Sequence, residues 1–410
     1  MLKETNIDWL GKIPQNWELK RLQYLCSITT GNKDTINRDD DGAYPFFVRS
    51  KNIERINSYS YDGKAILTAG DGDICKIWHY IDGKFDFHQR VYMLYDFKIE
   101  PKFLYYYISE NFYHDVYKLS AKNTVDSLRR PMFDNFPVVV PPIEIQTRIT
   151  NFLDKKTTEI DTIIAKKEKL LGLLEEKKKA IINEVVTKGL NTKATMKDSG
   201  IEWIGEIPEH WEITQLKYLT IKVGSGVTPK GGAEVYSDEG IKFIRSQNVY
   251  FEGLRLDDVV FIDEKIHNQM ENSKVNLNDV LLNITGGSIG RSCIVDIESE
   301  FNVNQHVCII RPNEKLLPEF LNFALFSNLG QIQIRLGITG GNREGLNFEN
   351  IKNFYVPNIS IKEQKEIVCY LNIKNDELNL ISTKISTQIN KLKEYRQSLI
   401  SEAVTGKLNI

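Results

Sequence analysis

Ile145-Gln-Thr-Arg-Ile-Thr-Asn-Phe-Leu153 opens a stretch that runs to Lys188, and the chain repeats that stretch from Ile361 to Val404. A shift of 218 positions places Gln146 on Gln364, Ile149 on Ile367, Leu153 on Leu371, Ile160 on Leu378, Leu174 on Leu392 and Ile181 on Leu399 without a gap. Both copies close alike, Glu184-Val-Val-Thr-Lys-Gly-Leu-Asn191 against Glu402-Ala-Val-Thr-Gly-Lys-Leu-Asn409. In the second copy Leu378, Ile385, Leu392 and Leu399 lie seven apart, with Ile381, Ile389 and Tyr395 near the other seam position. The first carries Ile160, Leu174 and Ile181 on one seam and Ile164, Leu171 and Val185 on the other, interrupted by Lys167 and Lys178. This spacing predicts two long helices pairing through apolar seams as a coiled coil with charged outer faces. Antiparallel pairing is expected, because equivalent helix exits related by a two-fold axis place the rest of each copy at opposite ends of the rod. A paired segment of about 30 residues spans roughly 45 Å.

The repeat extends outward from the helices over the whole chain, and a repeat of this extent governs the reading of every local motif. Lys3-Glu-Thr-Asn-Ile-Asp-Trp-Leu-Gly-Lys-Ile-Pro-Gln-Asn-Trp17 recurs as Lys197-Asp-Ser-Gly-Ile-Glu-Trp-Ile-Gly-Glu-Ile-Pro-Glu-His-Trp211, at an offset of 194. Trp9/Trp203 and Trp17/Trp211 read as apolar anchors of an entry hook, with Gly11/Gly205 and Pro14/Pro208 fixing its turn. Phe47-Val-Arg-Ser-Lys-Asn-Ile53 aligns with Phe243-Ile-Arg-Ser-Gln-Asn-Val249, and Asp73-Ile-Cys with Asp279-Val-Leu. Phe85-Asp-Phe-His-Gln-Arg-Val91 aligns with Phe301-Asn-Val-Asn-Gln-His-Val307. Pro101-Lys-Phe-Leu and Pro318-Glu-Phe-Leu each read as a helix start, where proline suits the first turn. The offset grows from 194 to 218, so the second copy is 24 residues longer, most of it between Val249 and Phe301. The expected fold is therefore α+β: two tandem units with twisted mixed sheets, separated by two long helices. The expected bounds are 1–142 for the first unit, 143–191 for its helix, 192–358 for the second unit and 359–410 for its helix.

Composition bounds the function. The 410 residues carry a net charge of -2, so any basic surface is local or shared with a partner. Cys26, Cys75, Cys293, Cys308 and Cys369 form no CxxC pair, which fits reduced thiols in a cytoplasm better than a disulfide frame or a zinc site. The N-terminus lacks an apolar signal core, and no apolar run approaches a membrane span. No GxxxxGK[ST] loop, HExxH helix or Asn/Asp-Pro-Pro-aromatic methyltransferase motif is present. Gly286, Gly287 and Gly290 read as a tight turn, since no strand-loop-helix frame with a trailing acid surrounds them. Asp86, Glu100 and Lys102 loosely mimic a metal-nuclease triad at a spacing that arises by chance. No catalytic or metal-ligating set is assigned.

What remains is a set of polar and basic residues on expected loops. In the first copy these are Thr29, Thr30, Asn32, Lys33, Arg49, Lys51, Asn52, Lys122, Asn123, Arg129 and Arg130. In the second they are Thr228, Lys230, Arg245, Gln247, Asn248, Arg291, Arg335, Asn342 and Arg343. Arg, Lys, Asn and Gln make bidentate contacts to guanine and adenine edges, and Ser, Thr and Lys hold phosphates. Solvated loops carry the same residue types. The recurrence of Arg49/Arg245 and Asn52/Asn248 also suits a structural role.

The arrangement resembles the specificity subunit of Type I restriction-modification systems, over essentially the whole chain. The resemblance is carried by Trp9-Leu-Gly-Lys-Ile-Pro14 and Trp203-Ile-Gly-Glu-Ile-Pro208 at the entries. At the exits it is carried by Val140-Pro-Pro-Ile-Glu-Ile-Gln146, Val356-Pro-Asn-Ile-Ser-Ile-Lys-Glu-Gln364 and the closing Glu-x-Val-Thr-x-x-Leu-Asn repeats. The family's Pro-Pro…Glu-Gln junction is split between the copies here. The resemblance implies that each unit is a target-recognition domain reading half of a split, asymmetric site on double-stranded DNA, with the helices as spacer. It implies a non-catalytic subunit. Adenine methylation would come from two modification subunits using S-adenosylmethionine, and cleavage from restriction subunits using ATP and Mg2+, in a bacterial or archaeal cytoplasm. Two like modules on a rod also match half-sites about one DNA turn, roughly 34 Å, apart. The alternatives are a specificity subunit serving a methyltransferase without a nuclease, and a duplicated protein-binding scaffold.

Overall fold

A computed structural model describes residues 2–120, 127–339 and 345–410. The chain divides into two compact units: Met1–Glu168 with Ile385–Ile410 (unit 1), and Lys169–Lys384 (unit 2). The two long helices are α1 (Ile143–Lys188) and α2 (Ile361–Val404), and each contributes one part to either unit. The glutamines that the repeat aligns lock the helix starts identically. The buried Gln146 accepts the Glu100 backbone N–H and donates to the Pro141 carbonyl. The buried Gln364 accepts the Leu317 N–H and donates to the Ile359 carbonyl. Each lock ties the first turn of a long helix to the segment leading into Pro101–Ser120 or Pro318–Phe326. Both helices end on glycines in the left-handed region, Gly189 (φ 71°) and Gly406 (φ 75°), as a C-terminal cap requires. In unit 2 a Cβ on Gly189 would lie 3.1 Å from the Trp211 ring, and in unit 1 a Cβ on Gly406 would lie 2.5 Å from Pro14 and 2.9 Å from Trp17. The entry hooks are thus seats for helix ends.

Within unit 1 the helix segments run antiparallel. Arg148 donates to the Ile410 carbonyl, Asp161 pairs with Arg396 at 2.9 Å, and Lys167 donates to Gln388 at 2.6 Å. Within unit 2 the end of α1 (Ile182, Val185, Val186) shares one apolar core with the start of α2 (Ile367, Val368, Leu371). Along the seams Ile160, Ile164, Leu378, Ile385, Ile389 and Leu399 are buried, and Leu171, Leu174, Ile181 and Leu392 are half-buried. Ile381 and Tyr395 are exposed, contrary to expectation; half-buried Ser382 and Arg396 sit seven residues either side of Ile389 instead. Lys178 does not simply interrupt the stripe. It is buried, with its ammonium 3.8 Å from Glu252 and over the Phe251 ring.

Unit 1 holds β1 (Ser27–Thr30), β2 (Tyr44–Phe47), β3 (Glu54–Ile56), β4 (Tyr61–Ala69), β5 (Trp78–Phe87) and β6 (Val91–Tyr95) in one six-stranded sheet of order β1-β6-β4-β5-β2-β3. The sheet is mixed, since β2 pairs parallel with β5 while the other pairs are antiparallel. Phe47, Ala65, Leu67, Phe85, Phe87, Val91 and Met93 form one core cluster of the sheet. The helix Pro101–Ser120 adds fully buried Phe103, Leu104, Tyr107, Ile108 and Phe112.

Unit 2 repeats the order in two sheets. β7 (Thr220–Ser225), β14 (Val307–Pro312), β11 (Val280–Asn283) and β12 (Ser292–Ile294) form one in that sequence. β9 (Val260–Ile262), β8 (Ile241–Ile244), β13 (Phe301–Val303) and β10 (Lys274–Val275) form the other. The registers correct two sequence pairings. Phe46 faces Asp86 as Phe243 faces Asn302, so the counterpart of Phe243 is Phe46, and Arg49 and Arg245 occupy different places. Asp73 lies in the loop after β4, whereas Asp279 immediately precedes β11. The added residues of the second copy include the hairpin Val249–Tyr250/Gly253–Leu254 and the helix Glu264–Gln269.

Candidate nucleic-acid interface

In both units the same backbone frame presents polar loops at the end of the central hairpin. In unit 1 the frame is the loop after β4, beginning Gly70-Asp71, and the turn His88-Gln-Arg90 between β5 and β6. Gly70 donates to the Arg90 carbonyl, Leu128 donates to Gly70, and Asp71 bridges to Ser127. In unit 2 Ile284 donates to the His306 carbonyl, Leu346 donates to Ile284, and Thr285 bridges to Gly345. Asp71 therefore corresponds to Thr285 and Arg90 to His306, while Gln89 and Gln305 keep one residue type at the turn's tip. Gly31 and Gly226 border the frame at equivalent places. A Cβ there would lie 2.1 Å from the Phe87 carbonyl oxygen and 1.7 Å from that of Val303, so only glycine fits.

The polar groups on this frame differ between units. In unit 1 the Asp71 carboxylate is shared: Arg49 Nη1 donates to Oδ1 at 2.8 Å and Arg90 Nη1 to Oδ2 at 2.9 Å. Burial alone would raise the Asp71 carboxyl, but the hydrogen bonds and charges of Arg49 and Arg90 outweigh it and hold it below the usual carboxylate range. Gln89 donates to Asp34 at 2.6 Å, and buried His88 accepts the Arg90 backbone N–H. In unit 2 the Thr285 hydroxyl meets His306 Nδ1, Gln305 contacts His306 Nε2 at 3.0 Å, and the Thr228 hydroxyl meets the Gln305 amide oxygen.

The residues singled out by sequence fall into distinct settings. Thr30, Asn32, Lys51, Asn52 and Arg129 are exposed, and Thr29 is half-buried. Lys33 lies 3.9 Å from buried Asp86 and shares a bridge with His88, which puts it beside the turn. Arg130 is a tether, donating to the Ile28 carbonyl at 2.7 Å and reaching Asp134. Arg245 donates to the Asp258 carbonyl, and Gln247 is bound to the Asp258 carboxylate. Asn248 is fully buried and holds a turn through the Arg245 N–H, the Arg255 carbonyl and Asp258, so it has no amide left to offer DNA. Lys230 is exposed. Arg291 and Arg335 meet Lys179 in one groove of about 330 Å³ within unit 2. Lys122, Asn123, Asn342 and Arg343 lie outside the described residues. The sequence reading did not single out Asp71, Gln89, Arg90, Thr285, Gln305 and His306, which the structure brings onto this frame. The signal was available in the repeat, where His88-Gln-Arg90 and Asn304-Gln-His306 keep the glutamine and vary around it.

The nuclease mimic does not hold. Asp86 is fully buried and accepts both Ser58 and Ser60 hydroxyls, and Lys102 is paired with Asp154 at 2.7 Å. Among the described residues no group of three or more His, Cys, Asp or Glu can hold a metal ion, and no helix is long and apolar enough to cross a membrane.

Comparison with known proteins joins this geometry to a family. The model of the Type I restriction modification DNA specificity domain matches residues 14–172 and again 208–391. The Type I restriction enzyme MjaVIII specificity subunit of Methanocaldococcus jannaschii is 24% identical over 97% of this chain and 94% of its own length. The EcoBI specificity subunit of Escherichia coli is 25% identical over 99% of this chain and 89% of its own. A solved chain from work on complex assembly and conformational transition of the type I R-M system shares the fold with a TM-score of 0.73 at 14% identity, over 97% of this chain and 99% of that one. The HsdS subunit of Thermoanaerobacter tengcongensis gives a TM-score of 0.51 at 15% identity, over 97% and 98%. The chain belongs to the Type I restriction-modification DNA specificity family and carries two copies of that family's domain.

Proposed function

We propose that this specificity subunit reads a bipartite, asymmetric site on double-stranded DNA, unit 1 one half and unit 2 the other, and delivers that address to catalytic subunits. The observation that carries the reading is the duplicated frame with unlike polar groups, Asp71 and Arg90 in one unit and Thr285 and His306 in the other. A common frame docks on a common duplex geometry, and divergent side chains on it select different bases. The long helices act as the spacer between half-sites. Two modification subunits using S-adenosylmethionine supply adenine methylation, and restriction subunits using ATP and Mg2+ supply translocation and cleavage. The subunit is non-catalytic and works in the cytoplasm. Near-neutral net charge suits a complex in which partner subunits hold part of the phosphate backbone.

The test is a domain exchange. Residues 1–142 are replaced by the equivalent unit of a relative, and the methylated motif of cells carrying the exchanged subunit and its methyltransferase is sequenced. One half of the motif changes and the other stays. Both halves changing together would sink the modular reading. Inserting about four residues, roughly 6 Å of rise, into both helices lengthens the spacer and leaves both half-sites intact.

A further inference from the structure

We infer that Arg49 and Arg90, pre-set by the carboxylate of Asp71 between them, read guanine in the half-site of unit 1, with Asp71 as their positioning residue. The inference rests on the proposal that unit 1 reads DNA.

Three observations lead there. Each guanidinium uses one Nη1 on Asp71 and, among the described residues, has no further hydrogen bond to protein. Arg49 and Arg90 remain 42% and 60% exposed, whereas Asp71 is 21% exposed and has both oxygens engaged. The free donor edges therefore belong to the arginines, and a bidentate arginine fork matches the O6 and N7 acceptors of guanine. A carboxylate behind such a fork removes rotamer freedom before binding, so less is lost on association. Direct acceptance of a cytosine amine by Asp71 is disfavoured because each of its oxygens already accepts an arginine N–H and its side chain is largely covered. The Asp71 carboxylate offsets one of the two arginine charges and so weakens the pull on a phosphate, while a neutral guanine edge needs only the free donor edges. The third observation is the other unit. Thr285 and His306 hold the equivalent places without a carboxylate, so the Asp–Arg pair is not demanded by the frame.

The experiment uses the full chain in complex with its methyltransferase partner, assayed on a pool of duplexes randomised at each motif position. The wild-type complex yields a split motif with a guanine in the unit 1 half. Arg90→Lys and Arg49→Lys keep the charge and lose the fork, and each lowers discrimination for guanine on the order of tenfold to a hundredfold. Asp71→Asn relaxes the same guanine position, whereas a merely structural role would lower methylation of all sequences alike. The other positions of the unit 1 half-site, read in the same molecules, stay unchanged and report that unit 1 is folded in each variant. A unit 1 half-site without guanine overturns the inference. So does an unchanged motif in both arginine variants, or a loss spread evenly over all sequences, the mark of phosphate contact. A variant that no longer folds is replaced by Asp71→Thr/Arg90→His, which installs the pair that unit 2 tolerates and is held to the same outcomes. A wild-type complex with no motif would instead remove the DNA reading beneath the inference.

Discussion

Units 1 and 2 solve one bend in two ways. In unit 1 β4 and β5 continue past the bend, where Gly63 faces Gly83 with φ of 142° and 136°. That backbone region is open to glycine and closed to most other residues, so the strands turn without losing their ladder. In unit 2 the same hairpin breaks. β10 stops at Val275 and β11 starts at Val280, and across from them β12 ends at Ile294 and β13 begins at Phe301. The break is held by Asp279, fully buried and bound in a bidentate pair by Arg311 at 2.7 and 2.8 Å, with Asp279 also accepting the Asn276 N–H. One copy thus uses backbone freedom where the other uses a charge pair. Both deliver the same loop frame over differently built strands.

The largest effect should come from removing the charge pair. Asp279→Ala leaves Arg311 partly buried without its partner and should cost about 3 kcal/mol. Urea unfolding combined with hydrogen exchange should place the loss in β11 and β14 and leave unit 1 unaffected. A loss below about 1 kcal/mol would show that something else holds the break. On the other side of the comparison, Gly83→Val should cost about 1–3 kcal/mol in unit 1. Among the described residues nothing lies within 4 Å of the added Cβ, so the cost is conformational, and Gly83→Ala should share most of it. Equal stability of wild type and both variants would locate the bend elsewhere.

The seam offers a smaller test. Lys178→Met keeps the apolar stem, removes a buried ammonium and leaves the exposed Glu252 carboxylate in water. Thermal melting should show a gain of about 1 kcal/mol; a marked loss would mean that the Glu252 pair fixes the packing of unit 2. The smallest effect is the pH response of Asp71. Its carboxyl is depressed in the folded chain, so its contribution is complete above the ordinary carboxylate range and disappears as pH falls through the folded value. With exposed arginine partners that contribution is about 0.2–1 kcal/mol. Wild type and Asp71→Asn should differ by this amount at neutral pH and converge in acid. A difference that grows on acidification would reverse the assignment.

The helices were legible because heptad spacing belongs to a single stretch of chain: Ile160, Ile164, Leu378, Ile385 and Leu399 are buried where the pattern puts them. The errors were of phase. Ile381 and Tyr395 lie one position off the stripe, an uncertainty inherent in reading a seam near 3.5 residues per turn on a helix of 3.6. The candidate interface was less legible. Loop polarity singled out alike Arg49 and Lys33, which lie at the frame, Arg291, which lines a groove of unit 2, and Arg130 and Asn248, which tie the backbone together.

By itself the sequence determined that the chain is a tandem duplication, that each copy ends in a long amphipathic helix and that glycines and hook tryptophans recur at matched places. These are properties of order and periodicity along one chain. Tertiary structure alone decided that Phe46 rather than Phe47 is the counterpart of Phe243, that one hairpin is continuous and the other broken, and that Asp71 stands between arginines 22 and 19 residues away. The physical reason is register. A strand slipped by one residue turns every side chain to the opposite face, and only the pairing of strands distant in sequence fixes which polar groups meet.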